Sequence, residues 1–161
     1  MAIPSFVLAR ILEETAERLE AGAEYQWSHF GKCNCGHVAQ TATRLRAADI
    51  HRVANRVFAE WSEIPDDFCP QTGMLFDRVI DTLFEIGLTP LDLRDLEDLS
   101  QRTILENLPG GFRHLERNNR EHVVLYLRSW AELLKRAAPG TQHHEIVPNL
   151  DKALECKAVP H

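Results

Sequence analysis

Asn118-Asn119-Arg120-Glu121-His122-Val123-Val124-Leu125-Tyr126-Leu127-Arg128-Ser129-Trp130-Ala131-Glu132-Leu133-Leu134 reads as the start and body of a long amphipathic helix. Val123, Val124, Leu127, Trp130 and Leu134 recur at helical spacing and make one apolar stripe. Asn118 to Glu121 resembles a capping box with Asn in the place of Ser or Thr. Pro139-Gly140 stops the helix.

The same period recurs upstream. Ser5 can cap a first helix over residues 5 to 21, with Val7, Leu8, Ile11, Leu12 and Leu19 on its inner face and Gly22 as its stop. Residues 22 to 35 form an irregular connection carrying Tyr25, Trp27 and Phe30, so it packs down on the body. A second helical region starts near Gly36 or His37. Leu45 to Ala48 holds a break or runs straight through, and Ile50, Val53, Ala54, Val57, Phe58 and Trp61 follow as a stripe ending at Pro65.

Cys69-Pro70-Gln71-Thr72-Gly73 is a turn, with Thr72 placed to cap a third helix that Gly87 ends. Thr89-Pro90-Leu91-Asp92 is a start signal: a hydroxyl cap, Pro at the first helical position and an acid at the positive end. Ser100 can cap a further short helix that ends before Pro109. No alternating strand of useful length occurs. The expected fold is all-α, a compact single-domain bundle of five or six helices over residues 1 to 138, with a partly irregular tail over 139 to 161.

At 161 residues the chain can bury a core without staples, and 26% charged residues is ordinary for a globular protein. A net charge of −6 disfavours nucleic acid and anionic membrane as partners. No apolar run reaches the roughly 20 residues that span a bilayer. The N-terminal residues have no basic segment followed by an apolar one, so a cytoplasmic location is expected, and the four cysteines are expected to be thiols or metal ligands.

The chemistry-bearing stretch is His29-Phe30-Gly31-Lys32-Cys33-Asn34-Cys35-Gly36-His37. Thiolate and imidazole are the ligands that zinc and iron take. Cys33, Cys35 and His37 are the expected metal ligands, with His29 or Cys69 completing the set; zinc is the first choice and iron the second. The spacing is Cys-x-Cys-x-His rather than paired Cys-x2-Cys knuckles. A cysteine nucleophile next to a helix start is a second reading, with His37, His51, His114 or His122 as its base. The plainest reading is that free cysteines pack as small hydrophobes. The chain is then a non-enzymatic helical adaptor or regulatory module, holding a protein partner or a second copy of itself through Tyr25, Trp27 and Phe30 or through an exposed helix face.

Other clusters carry less. His122 and Tyr126 lie four apart on one face and are candidates to line a polar pocket. On one straight helix His37 and His51 would stand about 21 Å apart, too far to share an ion. Glu13, Glu17, Glu20 and Glu24 form a carboxylate row, but no Glu-x-x-His accompanies it, which disfavours a di-iron site. Arg44, Arg46, Arg52 and Arg56, with Arg113, Arg117 and Arg120, read as salt-bridge partners for the many acids.

Overall fold

A computed structural model describes residues 1–27, 29–54 and 75–139, with side chains described through residue 52 and again from residue 78. Among the described residues the chain is all-α, with seven helices and no strand. In order these are α1 (Phe6–Glu20), α2 (Asn34–Thr43), α3 (Ala47–Ala54), α4 (Leu75–Glu85), α5 (Pro90–Asp98), α6 (Arg102–Glu106) and α7 (Arg120–Ala137). The turn at Cys69, the Val57–Phe58–Trp61 part of the stripe and the tail lie outside the described residues.

Helix α1 begins where Ser5 accepts a hydrogen bond from the Leu8 amide at 3.1 Å. Its buried stripe is Leu8, Leu12, Thr15, Ala16 and Leu19. Val7 is 41% exposed and Ile11 only partly buried, because the row they share lies at the edge of that stripe. The helix ends in a left-handed Gly22, φ +98. The Gly22 and Ala23 amides return to Leu19 and Arg18 carbonyls at 3.1 and 3.0 Å, which satisfies the last turn.

Among the described residues, helices α1 and α7 pack together most extensively. They run antiparallel, since Glu13 pairs with Lys135 and Glu20 with Arg128. Leu8, Leu12 and Leu19 meet the inner face of α7, where Val123, Leu127, Trp130, Ala131 and Leu134 are buried. The N-cap of α7 is Asn119, one residue later than the sequence suggests. Its side chain accepts from the Glu121 and His122 amides. Glu121 therefore sits one position too early to complete a capping box.

Helix α5 shows both halves of a capping box. The Thr89 amide donates to Asp92 at 2.9 Å and the Asp92 amide donates to Thr89 Oγ1 at 3.2 Å, with Pro90 opening the helix. Ser100 does not cap α6. Its hydroxyl donates to Asp95, and Gln101 takes the cap position without a side-chain bond. The second helical region breaks at residues 44 to 46, where Arg44 adopts φ +60 and ends α2. That break gives one helix more than the count expected.

Candidate functional site

The start of α2 is inserted into the body of the protein. Residues 33 to 39 are all buried, including the polar Asn34 and His37. Cys33 takes the N-cap position, where its sulfur accepts the Gly36 amide at 3.4 Å. A thiol here does what a hydroxyl does at most helix starts. Asn34 is the hub. Its Nδ2 donates to the carbonyls of Leu96 at 3.1 Å and Glu97 at 2.8 Å, and its Oδ1 accepts from the Tyr25 hydroxyl at 2.6 Å. Cys35 donates to the Leu93 carbonyl at 3.1 Å. The first turn of α2 thus satisfies the carbonyl end of α5.

Two glycines make this insertion possible. A Cβ on Gly36 would stand 2.1 Å from the Phe30 carbonyl oxygen, and one on Gly31 would stand 2.0 Å from that of Ala47. The chain passes itself at both points too closely for any side chain. The Gln40 side chain donates to the Gly31 carbonyl at 2.5 Å and fixes the turn.

Each candidate ligand has its own surroundings. His37 Nε2 donates to the Glu24 carbonyl at 3.1 Å, while its Nδ1 is buried without a hydrogen-bond partner. Burial lowers the His37 pKa to about 4, so the ring is neutral at pH 7. His29 accepts the Gly31 amide on Nδ1 at 3.1 Å and stacks on His51 with centroids 3.6 Å apart. Burial and the neighbouring His51 hold the His29 pKa below the usual value. Cys33 and Cys35 carry unbridged thiols. Burial pushes the Cys35 pKa well up, so it is a thiol rather than a thiolate. Cys69 lies outside the described residues. Among those described, no three Cys, His, Asp or Glu side chains form a preset metal-binding group.

Glu97 joins this cluster from α5. Burial of its carboxyl raises the Glu97 pKa, and the nearby Cys35 and Cys33 groups oppose that rise. One carboxyl oxygen, Oε2, is buried with no hydrogen-bond partner. Sequence reasoning missed Glu97, which looks like one more surface acid beside Asp95 and Asp98. It also missed Asn34, whose position between two cysteines was the available signal.

A polar seam joins α1 to α2 behind this site. Arg18 donates to Thr41 Oγ1 at 2.8 Å and Gln40 Oε1 at 3.0 Å, and Thr15 donates to Thr41 at 2.8 Å. The aromatic loop is drawn inward. Phe30 is 5% exposed, the Tyr25 hydroxyl also meets the Arg117 carbonyl, and Arg117 stacks over Trp27 at 4.1 Å. An open groove of about 440 Å³ runs beside it, lined by residues 22–25 and 119–121. His122 and Tyr126 have separate partners. His122 Nδ1 accepts the Glu116 amide, whereas the buried Tyr126 hydroxyl bridges the Gln101 amide and the Asp95 carbonyl.

No helix among the described residues is long and apolar enough to cross a membrane. Comparison with protein-family models, with curated proteins and with solved structures finds no match.

Proposed function

We propose that the chain is a cytoplasmic, non-enzymatic helical module that holds a protein partner. The observation that carries this reading is the apolar N-terminal end. Ile3 is 68% exposed, Met1 59%, Leu91 51%, Phe6 46% and Val7 41%. These are large side chains left in water on a body whose other apolar residues are mostly packed inside.

The face is held in place rather than loose. The Ile3 amide donates to the Gly87 carbonyl at 2.9 Å, Ala2 is buried, and the terminal ammonium stands 3.7 Å from Asp92. A rigid apolar face suits the apolar stripe of a partner helix. The groups with chemical potential support the same reading. Asn34, Cys35 and His37 each serve a backbone group of another segment and Cys33 caps its own helix, which gives all four a structural task.

A photoactivatable crosslinking residue at position 7 tests the proposal in cells. One discrete adduct is expected, and it disappears when Phe6 is replaced by Asp. The same probe at Glu132, exposed on α7, gives none. An adduct of twice the chain mass identifies the partner as a second copy. Equal labelling from both positions, or an adduct indifferent to Phe6→Asp in folded protein, overturns the reading.

A further inference from the structure

We propose that the chain's own C-terminal segment, residues 146–154, docks on the apolar N-terminal face and must be displaced before a partner can bind there. This deepens the partner-binding reading and rests on it for the displacement, though not for the docking.

Three observations converge. The first is where α7 delivers the chain. Arg128 pairs with Glu20 and Lys135 with Glu13, so each step forward along α7 is one step back along α1. Carried on, that register sets Pro139, the last described residue, about level with Ala9. Phe6 then lies only about 5 Å further along α1, on a helix whose axis is about 8–10 Å away. Residues 140–145 can span up to about 20 Å, so residue 146 reaches the face without strain.

The second is the sequence of the segment, which lies outside the described residues. Val147, Leu150 and Leu154 stand at helical spacing, three and then four residues apart, and Pro148 suits a first turn. That is the apolar stripe the face calls for. The third is charge. Arg10 is exposed one turn after Phe6 and Val7, and Arg94 is exposed one turn after Leu91. Glu145, Asp151 and Glu155 border the apolar positions of the segment. Acids of the segment thus meet cations at the rim of the face, which sets how it seats. A tether this short presents the segment at about millimolar effective concentration. A contact too weak to hold two separate molecules is therefore made within one chain. A partner competes with the tail for Ile3, Phe6, Val7 and Leu91, so the tail gates the face.

The test uses the purified full chain with a photoactivatable residue at position 7. The expected product is a link within one chain to residues 146–154, mapped by mass spectrometry of the monomer. Leu150→Asp together with Leu154→Asp should cut that link about fivefold or more, because two apolar anchors are lost. The same probe at Glu132 is within reach of the tether but off the face, and should link weakly. In cells the paired Asp substitutions should raise the partner adduct about threefold or more, as expected when about two thirds or more of the chains hold the tail docked. No link from position 7 to the tail in folded protein overturns the docking. So does an equal link from Glu132, a link indifferent to the Asp pair, or a link formed only between two chains. A partner adduct unchanged by the Asp pair overturns the gate. An intrachain link with no partner adduct from either chain supports the docking and counts against the partner-binding reading instead.

Discussion

Asn34 donates its side-chain amide to the Glu97 carbonyl at 2.8 Å, tying the first residue of α2 to the last turn of α5. The same amide reaches the Leu96 carbonyl, and the Asn34 oxygen accepts from Tyr25. Asn34→Leu keeps the volume but takes the side-chain donor from the Leu96 and Glu97 carbonyls and the side-chain acceptor from the Tyr25 hydroxyl, which keeps the Arg117 carbonyl. It should destabilise the protein by about 3 kcal/mol. Equilibrium urea unfolding measures this. A loss under about 0.5 kcal/mol, the scale of an ordinary surface change, would show that these bonds do not hold α2 to α5.

Acid should loosen the same joint through His37. Its folded pKa of about 4 lies below the usual 6.5 because burial disfavours the imidazolium. The native state therefore binds the proton less readily than the unfolded chain. The stability that follows is complete above pH 6.5 and is lost as pH falls through about 4. The loss should be about 3 kcal/mol from this group. His37→Gln, which keeps a donor for the Glu24 carbonyl, should flatten that part of the profile relative to the parent. Parallel profiles for the two proteins between pH 7 and pH 4 would contradict the assignment.

Gly31 and Gly36 should each resist even a methyl group. The neighbours that a Cβ would meet are main-chain oxygens, which cannot swing aside. Gly31→Ala or Gly36→Ala should lower stability by about 3 kcal/mol, the upper part of the overpacking range. Gly22→Ala meets no atom within 4 Å, and its strain comes only from φ +98. It should cost about 1 kcal/mol. Thermal melts of the three variants test the order. A Gly22 variant that melts below the other two would refute it.

Phe6→Asp should separate folding from partner binding. Phe6 opens α1, whose first turn has no acid, and its ring is 46% exposed. A carboxylate at that positive end should be neutral or stabilising by up to about 0.5 kcal/mol. Partner adducts should nevertheless disappear. A destabilisation of about 2 kcal/mol or more would place the ring in the core instead, since that is the scale of a lost buried aromatic.

Features written within four or five residues were legible in the sequence. Ser5, Gly22 and the Thr89–Asp92 box are local signals, and each stands where its chemistry puts it. The start of α2 was read two or three residues late because a cysteine cap is not a usual start signal, and Cys33 holds the place of a serine. The break at Arg44 was harder, since arginine seldom adopts a positive φ. That break brings His51 onto His29, a pairing no spacing rule reveals. Glu97 was illegible for a different reason. Its partners lie more than 60 residues away, on Cys33 and Cys35, and only the packing of α2 against α5 buries it.

The central claim is that residues 33 to 37 form a closed joint of the fold. The direct test is the alkylation rate of Cys33 and Cys35 in the Cys69→Ser, Cys156→Ser chain, measured with a chelator present and across a urea series. Buried thiols, with Cys35 held protonated, should react only through opening of the structure. The rate should therefore be suppressed in water and rise with urea in step with global unfolding. Labelling of the folded protein at the rate of the unfolded chain would contradict the account.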